Sequence, residues 1–157
     1  MRIAVACDHG GFVQKDAIVE HVRSLGHEVF DLGTNSEDSV DYPDFADRAA
    51  RMVSRGDADR AILICGTGIG ISMAADKVAG VRATPVQTPK FAELCRQHNN
   101  ANAIGLSGRF VTLEQNLELI DIFLTTEFEG GRHATRVAKI MREDDPDFQG
   151  VDAQNAE

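Results

Sequence analysis

The chain has 157 residues, enough for one buried core, and its 43% hydrophobic and 26% charged composition is that of a globular protein. A formal net charge of -9 disfavours nonspecific binding to nucleic acid or an anionic membrane, while a few local arginines could still dominate a pocket for a small anion. Cys7, Cys65 and Cys95 are too widely spaced for a disulfide framework, and no CxxC or Cys/His cluster marks zinc, so the expectation is a reduced, cytosolic protein.

The stretch MRIAVACDHGG carries too short an apolar run for a secretory signal, and nothing approaches the ~20 apolar residues of a membrane span. Residues 2–7, RIAVAC, are continuously apolar and predict a strand buried on both faces. Gly10 and Gly11 break it, and a helix follows with Ile18, Val22 and Leu25 on one stripe, closed by Gly26. HEVFDLG predicts a second strand, and the polar stretch 34–43, ending in Tyr42-Pro43, a surface loop. Residues 44–56 predict a helix closed by Gly56. RAILIC, residues 60–65, is the third strand, and the helix beyond its glycine loop is expected to reach about Val78. VRATPV predicts a short fourth strand, and PKFAELCRQH a helix with Phe91, Leu94 and Cys95 on one face. NAIGLSG is the fifth strand. A helix started by Thr112 follows, with Leu113, Leu117, Ile120 and Leu124 as its stripe, and residues 130–143 predict the last helix. The acidic, polar residues 144–157 predict a mobile tail beside one domain over 1–143.

Strands that alternate with helices, and are too apolar to face water, predict an α/β fold: a parallel sheet covered by helices on both faces. Ligands in such folds bind beyond the carboxyl ends of strands, which singles out Asp8-His9, the loop 65–72 and Ser107-Gly108-Arg109.

In ILICGTGIGIS, Gly66, Gly68 and Gly70 give GxGxG, and Ile71 stands where a dinucleotide fingerprint needs its third glycine. No Gly-Lys-Ser/Thr follows, so a P-loop is excluded as well. What remains is a set of backbone N–H groups beside a helix start, an arrangement suited to an anion, or else a tight turn with no ligand. Cys65 ends the strand next to that field, where a thiol can serve as nucleophile or general base; the competing reading is a buried, inert cysteine, which fits Cys7 and Cys95. His9 is either a phosphate or proton-transfer group or a packed loop residue. His98, before Asn99 and Asn100, is either a helix C-cap or an acid/base. Arg132 and Arg136, spaced i,i+4, share a helix face and form either a phosphate clamp or a solvated basic face, with His133 pointing elsewhere. His21 and His27 read as surface residues. The histidines and carboxylates form no metal motif, so a mechanism with neither metal nor organic cofactor is expected.

Taken in order, ACDHGGF, GHEVFDLGT, DYPDFA, ILICGTGIGIS, AADKVAGVRA, RQHNNAN and EGGRHATRV resemble the ribose-5-phosphate isomerase B / galactose-6-phosphate isomerase family of sugar-phosphate isomerases. The resemblance covers residues 2 to about 142. It implies a five-stranded Rossmann-like α/β/α fold, a homodimer with active sites shared between chains (a tetramer being the open alternative), and aldose–ketose isomerisation of a phosphosugar. By motif position it makes Cys65 the general base, with Thr67 assisting. The amides of Gly66, Thr67, Gly68, Ile69 and Gly70 would hold the enediolate oxygens. His98 would move the proton of furanose opening, and Asn99 would bind the sugar. Asp8 and His9 would contact the substrate, Arg109, Arg132 and Arg136 would hold the phosphate, and Tyr42 would wall the pocket. EGGRHATRV favours ribose 5-phosphate as substrate; a tetrose 4-phosphate or hexose 6-phosphate is the same-chemistry alternative. A noncatalytic phosphosugar-binding module and a thiol redox protein are the other classes, the latter disfavoured because Cys65 has no neighbouring cysteine in the chain.

Overall fold

The computed structural model describes residues 1–151; positions 152–157, the end of the expected tail, lie outside the described residues. Five strands, β1 (Arg2–Cys7), β2 (Glu28–Asp31), β3 (Arg60–Cys65), β4 (Ala83–Pro85) and β5 (Ala103–Ser107), form one parallel sheet in the order β2-β1-β3-β5-β4. The helices are α1 (Phe12–Ser24), α2 (Tyr42–Arg55), α3 (Ile69–Ala75), α4 (Pro89–Asn99), α5 (Leu113–Thr125) and α6 (Arg132–Met141), and a short 3-10 turn at Arg142–Asp144 follows. The three-layer α/β architecture is therefore the expected one. No helix among the described residues is long and apolar enough to cross a membrane.

The apolar strand runs conceal an alternation of size. Ile3, Val5, Cys7, Ile62, Ile64, Ile104 and Leu106 face a layer built on α1, α4 and α5. Ala4, Ala6, Ala61, Leu63, Cys65 and Ala103 face α2 and α3, which return Phe45, Ala46, Ala49, Ala50, Ile71 and Ala75. Successive side chains of a strand point to opposite faces, so one face is bulky and the other mostly alanine. Burying one of the large aliphatic side chains contributes ~1.5–3 kcal/mol.

The predicted elements appear, with corrections at their edges. β2 is an edge strand and only half-buried, so it is not as water-shy as the others. Tyr42 and Pro43 do not end the loop but open α2, where proline's missing N–H costs nothing. α3 stops at Ala75 and is followed by turns rather than reaching Val78. In α1, Leu25 caps the helix and is exposed, and in α4 Phe91 is exposed while Ala92, Cys95 and Arg96 form the buried face. α5 buries Asn116, Leu119 and Phe123 beside Ile120 and Leu124, whereas Leu113 and Leu117 pack only partly. Its Thr112 N-cap completes a capping box with Gln115. His21 is not a free surface residue: its Nε2 lies 2.6 Å from Asp121 Oδ1, tying α1 to α5.

Candidate active site

The order β2-β1-β3 means that the chain leaves β1 and β3 toward opposite sides, opening a crevice at their carboxyl ends. Three loops meet there. The Asp8 carboxylate, buried, accepts from Gly10 N at 2.8 Å and fixes the turn after β1. That turn lies against the β3 loop so closely that a Cβ on Gly10 would stand 2.7 Å from Gly66 N. From the β5 loop, Gly108 N donates to Cys65 O (2.8 Å) and Arg109 N to Gly66 O (3.3 Å). The Ser107 hydroxyl donates to Gly66 O (2.8 Å) and accepts from Phe110 N (3.0 Å), linking both loops again. Sequence reading named Ser107 only as a place in a loop, because its role depends on a partner 41 residues away.

Cys65 ends β3 on the alanine face, 4% exposed, and Gly68 N points its hydrogen at Sγ from 3.2 Å. Gly68 holds φ +77°, and a Cβ there would press on the Gly105 carbonyl at 2.7 Å, so only glycine both turns the chain and fits. The Thr67 hydroxyl oxygen accepts from Ile69 N at 3.3 Å, which leaves its own hydrogen to donate elsewhere. Ser72 Oγ donates to Gly68 O at 2.8 Å and anchors the loop from behind. α3 is seven residues long, so the loop amides and not a long helix dipole supply the field. Around this centre, the Arg109 side chain runs along Gly66, with Nε 3.6 Å from where a Cβ would stand. The Tyr42 ring stands over Gly70, its Cζ 2.8 Å from the corresponding point. His9 Nδ1 accepts from Val40 N at 3.2 Å, leaving Nε2 as the donor of a neutral ring.

The remaining expected residues lie elsewhere. α4 leaves the carboxyl end of β4 and runs back to the amino end of β5, so His98 and Asn99, at the end of α4, sit at the opposite edge of the sheet from Cys65. The intervening strand has five residues, about 16 Å of extended chain. His98 is not the helix cap; Asn100 takes that position in the left-handed conformation at φ 46°. α6 packs on this end of α4. Arg132 and Arg136 are exposed on α6, and His133, expected to point elsewhere, stacks on His98 with ring centroids 4.1 Å apart and planes 5° from parallel. Glu129 Oε2 lies 3.9 Å from His98 Nε2 and 3.7 Å from His133 Nε2. Burial first, then the neighbouring His98 and Arg132, hold the His133 imidazole below the ordinary histidine range. Thus the structure unites Asp8, His9, Tyr42, residues 65–70 and Arg109 at one end, and His98, Asn99, Arg132 and Arg136 at the other.

Among the described residues, His98, Glu129 and His133 are a group whose ligand atoms lie within 4.8 Å of one another and could hold a metal ion. One feature opposes it: Arg132 Nε points at His133 Nε2 from 3.5 Å. A guanidinium at that nitrogen repels a cation and competes for its lone pair.

The three cysteines are free. Cys7 and Cys95 belong to the bulky layer and Cys65 to the alanine layer, so neither can serve Cys65 as a resolving thiol across the sheet. Burial pushes the Cys7 and Cys95 thiols up to about 11, as expected of inert cysteines.

The chain matches the Ribose/Galactose Isomerase family over residues 3–140. It is 47% identical over 139 residues to ribose-5-phosphate isomerase B of Escherichia coli (strain K12), covering 88% of this chain and 93% of that one. It is 50% identical over 142 residues to a probable ribose-5-phosphate isomerase B of Mycoplasma genitalium, covering 89% and 93%. Among solved structures, Clostridium thermocellum ribose-5-phosphate isomerase B superposes with a TM-score of 0.90 at 46% identity, over 92% of this chain and 97% of that one. The Mycoplasma genitalium enzyme with bound ribulose-5-phosphate superposes with a TM-score of 0.88 at 48% identity, over 91% and 95%. Fold, motif order and near-complete coverage agree, and the chain belongs to the Ribose/Galactose Isomerase family.

Proposed function

We propose that this chain is an aldose–ketose isomerase that interconverts D-ribose 5-phosphate and D-ribulose 5-phosphate through an enediolate. The observation that carries the reading is the unit formed by Cys65 and the amides of its glycine loop, in a chain at least 46% identical to isomerases of that substrate pair. Cys65, as thiolate, takes the proton from the carbon beside the carbonyl and returns it to the neighbouring carbon. The amides of residues 66–70 and the Thr67 hydroxyl stabilise the charge that develops on the oxygens, where one such donor is commonly worth ~10²–10³ in rate. Asp8 fixes the turn that seats His9 and the glycine loop, and Tyr42 closes the side over Gly70.

His98 and Asn99 stand at the far end of the same chain, so they serve a site only through a second copy. The distribution of residues supports a homodimer in which one chain supplies Cys65 and Arg109 and its partner supplies His98, Asn99, Arg132 and Arg136. In that arrangement His98 opens the furanose, Asn99 binds the sugar and the arginines hold the phosphate. The phosphate supplies binding energy remote from the reacting carbons and so orients them. The chemistry is that of a cytoplasmic sugar-phosphate enzyme needing neither metal nor organic cofactor.

The test is kcat/KM across four-, five- and six-carbon aldose phosphates, for wild type and Cys65→Ala. The pentose is expected to be the best substrate, and the variant to lose ~10³-fold in kcat while still binding it. A tetrose or hexose preferred by the wild type replaces the substrate. Turnover by Cys65→Ala at the wild-type rate removes the cysteine from the base role.

A further inference from the structure

We propose that Glu129 is a positioning residue for His98, holding the imidazole by its Nε2 edge in the orientation that protonates the furanose ring oxygen. The proposal rests on the isomerase reading above, and nothing in the motif reading assigns this carboxylate a role. The loop carrying Glu129 is pinned to α4, because Glu129 N donates to Gln97 O at 3.1 Å, one residue before His98. This places the carboxylate across the Nε2 edges of two stacked rings, 3.9 Å from His98 and 3.7 Å from His133. The two rings do not compete equally for it. Arg132 Nε points at His133 Nε2 from 3.5 Å, so that nitrogen accepts, and the hydrogen presented to the carboxylate is the one on His98 Nε2. Catalytic contacts of this kind often close to hydrogen-bond distance only when substrate arrives.

The surrounding charges fit the assignment. His98, Arg132 and, one turn on, Arg136 bear on His133, and Glu93 faces His98 from its own helix. Glu129 is the anion that touches both imidazoles, so it holds the ring when the ring is charged. The parallel His133 ring forms a wall that prevents His98 from rotating about χ2. In the step itself, the ring C1–O4 bond breaks with its electron pair on O4, which takes the proton from His98 Nδ1, while the Nε2 hydrogen stays directed at Glu129. The O1 hydroxyl proton leaves to water as the C1=O1 carbonyl forms, and His98 regains a proton from solvent.

Ribulose 5-phosphate has no hydroxyl free to close a furanose, so its conversion to the enediolate needs no ring opening. That asymmetry makes the role measurable. Glu129→Gln is expected to lower kcat/KM for ribose 5-phosphate about tenfold, the scale of one charged contact partly open to solvent, while exchange of the ribulose 5-phosphate C1 proton into deuterium oxide, which stops at the enediolate, stays within about twofold. Glu129→Asp restores part of the loss. In a crystal structure of Glu129→Gln the His98 ring leaves its stack on His133. Equal losses in turnover and exchange, no loss in either, or a His98 ring that stays stacked without the carboxylate would overturn the proposal. Failure of the isomerase reading is distinct: the wild type then turns over neither sugar, and the orientation of His98 in the variant still decides whether Glu129 positions it.

Discussion

The two ends of the sheet are built from different materials. At the carboxyl end the functional groups are largely main chain, held by Gly108 N on Cys65 O, Arg109 N on Gly66 O and the Ser107 hydroxyl between loops. At the amino end they are side chains on the last turn of α4 and the first turns of α6, with Asn99, Arg132 and Arg136 exposed. One end has its geometry fixed by covalent neighbours and close backbone approach. The other reaches outward on exposed helix turns. Under the dimer proposed above, this difference is why one chain would carry the parts of the site without finishing it.

The sharpest way to break this comparison is to mix chains. Cys65→Ala and His98→Asn chains are each expected to lose ~10²–10⁴-fold on ribose 5-phosphate. If the ends complete one another across a dimer, each mixed dimer regains one intact pair, and a statistical mixture recovers about a quarter of the wild-type rate. Mixing without recovery would mean that the two ends never share a substrate.

A smaller effect probes the carboxyl end alone. Ser107→Ala deprives Phe110 N of its acceptor and Gly66 O of one donor in a buried place, a cost of ~1–3 kcal/mol. The expected outcome is a kcat about tenfold lower with KM little changed, together with a lower urea midpoint. Unchanged kcat would show that the loop amides hold their direction without the hydroxyl.

The smallest effect belongs to the amino end. His133 has a folded-state value depressed by burial and by His98 and Arg132, with Arg136 adding to them and Glu129 opposing. Its contribution to stability is therefore intact above the ordinary histidine value of ~6.5 and is lost as pH falls through the folded value. Urea midpoints measured from pH 7.5 down to 5 should fall more for wild type than for His133→Gln. Parallel curves would remove the ring from any part in acid stability.

The contrast also explains what the sequence made readable. Strand after strand could be placed because RAILIC and its kin are apolar enough to need two covers, and Gly66, Gly68 and Gly70 announce a backbone site by their spacing. The size alternation that divides the sheet's faces was also present in the letters, with Ile3, Val5 and Cys7 set against Ala4 and Ala6, but a hydrophobic pattern alone does not separate large from small. His98 and the arginines were legible only through resemblance, since a histidine at a helix end has several ordinary uses. Glu129 was not legible at all. Its spacing of four from His133 was there to see, yet its meaning comes from α4, whose nearness to α6 no local pattern encodes.

One feature of the carboxyl end reaches beyond the single molecule. The turns after β1, β3 and β5 meet backbone to backbone: a Cβ on Gly10 would strike Gly66 N, and one on Gly108 would strike Gly10 O. A shift of one of these turns presses on the others, so the carboxyl end tolerates change best at its outward-facing positions. Under the dimer proposed above, a longer or shorter sugar would be accommodated at the other end, on the exposed helix turns. Reaction and preference would then be set in separate places, and one framework could be retained while its diet changes.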